Sequence, residues 1–170
     1  AAGQAHVVRR AAPAAHAGTP LDTNTDLIDW FRGQEKRFAL DSLAPYQEFA
    51  RRVAQHRDDL KELIRLLRHS GATIDGLGAS TKGNVLLQYC GFGPGDIRAI
   101  GEVNPSKFGL FTPGTGIPIV PEEDIRTSDP DYILVLPWHF REGIVEREQE
   151  YLRKGGRLIF PLPEIEIVGD

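Results

Sequence analysis

A chain of 170 residues is the size of one ordinary domain, or of one domain with a tail, and can bury a core without disulfide staples. Hydrophobic residues at 41% and charged residues at 26% exclude a collagen-like, coiled-coil or wholly disordered chain. Twenty Lys and Arg against 24 Asp and Glu leave a net charge of −4, so no broad positive field draws a nucleic-acid polymer.

Residues 1–20 are rich in alanine, lack sustained periodicity and read as a tail or linker. Arg9-Arg10 before an alanine run faintly resembles an export signal, but Pro13 and His16 interrupt it, and no stretch reaches the roughly 20 apolar residues of a membrane span. No membrane partner and a cytoplasmic location are expected. The sequence has no methionine, not even at position 1, which predicts a processed or excised fragment.

Residues 21–44 form a helical connector in which Leu27, Ile28, Trp30, Phe31, Phe38 and Leu40 punctuate charged residues in one or two short helices. The strongest helix spans residues 43–69, where Tyr46, Phe49, Ala50, Val53, Leu60, Leu63, Ile64 and Leu67 repeat along one stripe. Ser42 is its expected N-cap, Arg65, Arg68 and His69 suit its negative end, and Gly71 suits the position just past it. His56 and His69 read as solvated helix residues.

Beyond Gly71 short apolar runs alternate with turns. Strands are expected over residues 73–77, 97–103, 117–120, 132–136, 157–161 and 164–168. Between them lie a tight loop over 78–83, a helix over 84–90, a helical turn over 121–126 and an amphipathic helix over 142–154 that stops at Gly155-Gly156. Pro161 and Pro163 mark the last strand as an edge. This alternation predicts an α/β fold over residues 45–170: a three-layer, Rossmann-like sandwich with a mostly parallel sheet, preceded by the long amphipathic helix. Cys90, the single cysteine, lies in an apolar run and reads as a reduced core residue; one cysteine makes neither an internal disulfide nor a Cys-rich zinc site.

In open α/β sheets ligands bind outside the carboxyl ends of the strands, so the loops leaving those ends carry the candidate chemistry. Gly78-Ala79-Ser80-Thr81-Lys82-Gly83-Asn84 would bring backbone N–H groups, two hydroxyls and a lysine to a helix N-terminus, either as a phosphate cradle or simply as a tight turn. It is not a P-loop, because Asn84-Val85 stands where Lys and Ser or Thr are needed, and it lacks the third glycine of a dinucleotide fingerprint. Glu102 occupies the place of an acid that reads a ribose hydroxyl; Asn104 and Lys107 address a base or phosphate, or belong to an ordinary turn. Residues 111–119 form a Pro- and Gly-ordered loop that shapes a wall or an entry angle. Trp138-His139-Phe140-Arg141 joins aromatic surface, imidazole and guanidinium, with His139 serving a ligand, a proton transfer or packing. With no nucleophile elbow, no paired cysteines and scattered histidines, neither a catalytic residue nor a metal ligand is assigned, and the chain alone does not read as a complete catalyst.

The run Gly78-Ala79-Ser80-Thr81-Lys82-Gly83-Asn84-Val85-Leu86-Leu87-Gln88-Tyr89-Cys90-Gly91, followed by Asn104-Pro105-Ser106-Lys107, Thr112-Pro113-Gly114-Thr115 and Ile117-Pro118-Ile119, has a family pattern. With Pro130-Asp131-Tyr132, Trp138-His139-Phe140, Gly155-Gly156-Arg157 and Pro161-Leu162-Pro163-Glu164, it resembles the C-terminal domain of S-adenosylmethionine-dependent sugar C-methyltransferases from about Tyr46 onward. The resemblance implies that a zinc-binding module and a methyltransferase domain precede this one and hold the zinc, the S-adenosylmethionine and the catalytic base, leaving no cofactor in this chain. Gly3-Gln4-Ala5-His6-Val7-Val8 resembles the last strand of that middle domain, so residues 1–20 would be its end. The implied substrate is a nucleotide-linked 4-keto-deoxysugar, thymidine diphosphate-linked and typically methylated at C3 through an enolate, as in deoxysugar biosynthesis. Gly78, Ser80, Thr81, Lys82 and Asn84 would lie near the diphosphate or sugar, and Glu102, Asn104, Lys107, Trp138 and His139 around the rest. Many members have Asp at the position of Glu102 and Asn at that of His139, swaps that alter reach. The main rival is a non-catalytic interaction domain packing on the methyltransferase domain; a free-standing nucleotide-dependent reductase ranks third.

Overall fold

A computed structural model describes residues 23–169, and the chain divides at Phe49 into two compact units. The tail over residues 1–20, with its strand-like segment at residues 3–8, lies outside the described residues.

In the first unit, α1 (Thr23–Arg37) is one helix, with Asp26 in its first turn and Lys36 and Arg37 in its last, a charge order that complements the helix dipole. The chain then reverses through Ala39 at φ +51°, and α2 (Ala44–His69) begins. Ser42 is not the N-cap its sequence position predicts. Its hydroxyl donates to the Ala39 carbonyl at 2.8 Å and is spent closing the reversal, while the Leu43 carbonyl accepts the first helical bond from Gln47 N–H. Tyr46 and Phe49, expected on the buried stripe of α2, are exposed, as are Leu27, Ile28, Trp30 and Phe31 of α1.

The second unit is built on a six-stranded sheet ordered β3-β2-β1-β4-β5-β6. Its strands are β1 (Ile74–Leu77), β2 (Ile100–Glu102), β3 (Ile119–Pro121), β4 (Tyr132–Val135), β5 (Arg157–Phe160) and β6 (Glu166–Val168). The first five run parallel; β6 is antiparallel at the edge. This is the doubly wound order, with its switch point between β1 and β4. The period of two along β4 shows why both faces are covered: Leu134 joins Leu60 and Ile64 of α2 and Leu87 of α3 (Thr81–Cys90), while Ile133 and Val135 join Ile125, Ile144 and Tyr151 on the other side. Those three come from α4 (Glu122–Ser128), α5 (Arg141–Arg147) and α6 (Gln149–Arg153), giving three layers.

Several expectations shift. The helix predicted over 84–90 starts at Thr81, because Ser80 caps it from within the predicted loop. The helix predicted over 142–154 breaks at Glu148, whose buried carboxylate accepts from Arg126 and Arg147. His56 is not simply solvated: half-buried on α2, its Nε2 shares a 2.6 Å hydrogen bond with the Pro161 carbonyl after β5. His69 is exposed, and Cys90 is a buried free thiol pushed up to about 11 by burial. Among the described residues no helix is long and apolar enough to cross a membrane.

Candidate functional site

The turn after β1 is shaped by what its residues cannot avoid. Gly78 sits at φ +80°, a conformation open to glycine, and a Cβ there would lie 2.7 Å from Pro137 Cδ, so the loops after β1 and β4 abut at the switch point. Ser80 Oγ accepts from Gly83 N–H at 3.0 Å and starts α3. Gly83 is equally confined, since a Cβ would fall 2.6 Å from Leu136 Cβ. Thr81 and Lys82 stand exposed on the first turn, and the Asn84 Oδ1 atom is buried with no hydrogen-bond partner among the described residues.

At the end of β2, Glu102 is buried and its oxygens are occupied. Oε1 accepts from the N–H groups of Val103 and Asn104 at 2.8 and 3.1 Å, and Oε2 accepts from Lys107 Nζ at 2.8 Å. Burial pushes this carboxyl up, but the Lys107 hydrogen bond, the two backbone N–H groups and the lysine's charge outweigh it and hold it below its ordinary range. Lys107 Nζ also donates to the Ala79 carbonyl at 2.9 Å, tying the loop after β2 to the loop after β1. Asn104 Oδ1 accepts from the N–H and the hydroxyl of Ser106, so its side chain holds a short 3-10 turn over Pro105–Lys107.

A carboxyl lowered by folding contributes stability that is full above its ordinary pKa and is lost as pH falls through its folded value. Replacing Lys107 with methionine removes the strongest opposition to burial, so the folded pKa of Glu102 rises toward its ordinary value. The expected result is a shallower loss of stability between about pH 5 and pH 3 than in the wild type, read from urea midpoints across that range. An unchanged slope would show that Lys107 does not set the ionisation of Glu102.

Two cavities open at this edge. One, of about 450 Å³, is lined by Gly78, Ser80, Glu102 and Lys107 together with Glu122, Pro137, Phe140, Gly143 and Arg147. The other, of about 590 Å³, is lined by Trp138, His139 and Arg141 against residues 162–166. His139 is exposed, with its ring 4.3 Å from that of Phe140 and edge-on to Trp138, and Arg141 pairs with both carboxylate oxygens of Glu166. Four of the sequence-predicted residues thus meet in the first cavity and two in the second, whereas Thr81, Lys82, Asn84 and Asn104 line neither. Glu122, Gly143 and Arg147 were not found from sequence: they lie on helices that follow β3 and β4, and only the strand order brings those helices beside β1. Among the described residues no cluster of three or more His, Cys, Asp or Glu side chains is placed to hold a metal ion.

A doubly wound sheet with a glycine turn and a capped helix at its switch point defines a Rossmann-like α/β domain with its cavities at the carboxyl edge. The profile of the C-methyltransferase C-terminal domain matches residues 11–163, and this chain belongs to that family. It is similar to the C-methyltransferase NovU of Streptomyces niveus, with 40% identity over 135 residues, 79% of this chain. The match spans 32% of the length of that relative.

Proposed function

We propose that this chain is the C-terminal domain of an S-adenosylmethionine-dependent C-methyltransferase and that it anchors a nucleotide-linked 4-keto-deoxysugar, typically methylated at C3. In this reading residues 1–20 end a preceding methyltransferase domain, residues 21–44 connect the two, and residues 45–170 hold the substrate. The preceding domain supplies the methyl donor and the base, and a zinc-binding module precedes it. This domain contributes orientation, which alone lowers a barrier when reacting atoms are held in line.

The observation that carries the reading is the 450 Å³ cavity at the carboxyl ends of β1, β2 and β4, beside the capped N-terminus of α3. The residues there do not fit S-adenosylmethionine. Glu102, the acid placed for a ribose hydroxyl, is held by two backbone N–H groups and Lys107, so its oxygens are not free to hold the ribose diol of that donor. This supports a donor site elsewhere in the longer protein.

Calorimetric titration of the 170-residue chain tests the reading. A thymidine diphosphate sugar is expected to bind and S-adenosylmethionine is not; donor binding would overturn the assignment. Binding of neither would favour a second reading, an interaction domain, for which the half-exposed Leu27, Ile28, Trp30 and Phe31 of α1 are the specific support. In that case a Trp30→Glu, Phe31→Glu variant would lose association with a methyltransferase domain supplied in trans while its sheet remains folded.

A further inference from the structure

Arg147 reaches the 450 Å³ cavity from α5, on the wall that also carries Gly143. In both ion pairs that border this cavity the carboxylate is the buried partner and the cation the exposed one. The Lys107 side chain is 38% exposed against 9% for Glu102, and that of Arg147 is 44% exposed against 10% for Glu122. Lys107 Nζ spends two of its three protons, on Ala79 O and Glu102 Oε2. Arg147 donates through Nε to Glu148 Oε1 at 2.8 Å and through Nη2 to Glu122 Oε1 at 3.4 Å; among the described residues its Nη1 has no protein partner. Each cation therefore retains a donor, while the acid behind it restricts its rotation. The two acids balance the two bases, so the cavity exerts little long-range field and its attraction for an anion rests on direct, charge-assisted contact.

The two bases come from different elements, the turn after β2 and the helix after β4, and line the same cavity. We propose that Lys107 and Arg147 form a two-point clamp for the diphosphate of the ligand; the inference rests on the nucleotide-sugar reading and adds Arg147, which no loop motif marked. Gly143 keeps the entrance clear. It lies one helical turn before Arg147, and a Cβ built on it meets no atom within 4 Å.

The test is calorimetry of the 170-residue chain with inorganic pyrophosphate and, separately, orthophosphate. Pyrophosphate is expected to bind about tenfold more tightly than orthophosphate, and Arg147→Ala and Lys107→Ala each to weaken it about tenfold or more. Arg147→Lys should recover only part of that loss, because an ammonium lacks the planar fork. Arg65→Ala removes an equal charge from an exposed pair on α2 and should stay within about twofold of wild type. Gly143→Leu should raise or keep the thermal midpoint, since leucine favours a helix over glycine, yet abolish pyrophosphate binding by filling the entrance. Pyrophosphate affinity unaltered in Arg147→Ala, or unaltered in a folded Gly143→Leu, would overturn the clamp. A wild-type chain that binds a nucleotide-sugar but not pyrophosphate would also overturn it and leave the anchoring function standing; one that binds pyrophosphate but no nucleotide-sugar would sink the anchoring function instead.

Discussion

Arg98→Ala is expected to destabilise the sheet-bearing unit by about 3–5 kcal/mol, because it strands a buried carboxylate. Asp75, in the middle of β1, has a side chain only 2% exposed, and Arg98 grips both of its oxygens, Nε to Oδ1 at 3.0 Å and Nη2 to Oδ2 at 2.7 Å. The Ser128 hydroxyl, at the end of α4, donates to Oδ2 at 2.9 Å, so one side chain of the central strand joins the approach to β2 and the far end of α4. Losing the arginine leaves the serine, among the described residues, as the only side-chain donor to a charge still out of water. Urea denaturation at neutral pH measures the loss. The double replacement Asp75→Leu with Arg98→Met is expected to recover most of it, since an apolar pair of similar volume does not carry the desolvation penalty of a lone ion. A single variant within about 0.5 kcal/mol of wild type would show that water reaches Asp75 and that the pair is not structural.

Gly78→Ala is expected to lose about 2–4 kcal/mol, the sum of a left-handed backbone and an overpacked contact. At φ +80° any β-carbon is strained, and this one would stand 2.7 Å from Pro137 Cδ and 2.9 Å from Cγ, atoms of a ring that cannot rotate away. Gly109 provides the comparison: at φ +74°, a Cβ there meets nothing within 4 Å, so Gly109→Ala should lose only the backbone part, about 1 kcal/mol. The difference between the two midpoints isolates the packing of the loop after β1 on the loop after β4. Equal losses would mean that these loops separate easily in solution.

Much of this architecture is legible in local chemistry. The change from helical spacing to short apolar runs after Gly71 announces strands, and the left-handed φ of +89° at Gly71 is what a glycine after a helix provides. Continuous apolar runs such as Tyr132-Ile133-Leu134-Val135 need cover on both faces, which is how β4 is packed. Ser80 illustrates the limit. Its capping role is a local signal, yet the glycine on either side made the whole segment read as loop, so α3 begins three residues before the predicted start. Ser42 failed in the opposite sense, because a hydroxyl near a helix start can equally close a preceding turn, and Ala39 offers its carbonyl first.

The order of hydrophobic and turn residues along the chain was enough to determine an α/β domain, the parallel character of its sheet and the loops that gather at its carboxyl edge, since each depends on periodicity over a few neighbouring positions. The family pattern in those loops is likewise carried by the chain itself. Which side chains share a cavity was decided by the tertiary structure, because strand order sets that, and β1 lies between β2 and β4 although 22 and 54 residues intervene between the end of β1 and the starts of those strands. The break at Glu148 has the same origin. Its apolar neighbours Ile144 and Tyr151 continue a helical stripe, but the carboxylate is drawn inward by Arg126 from another helix, and a charge can be buried only where its partner arrives.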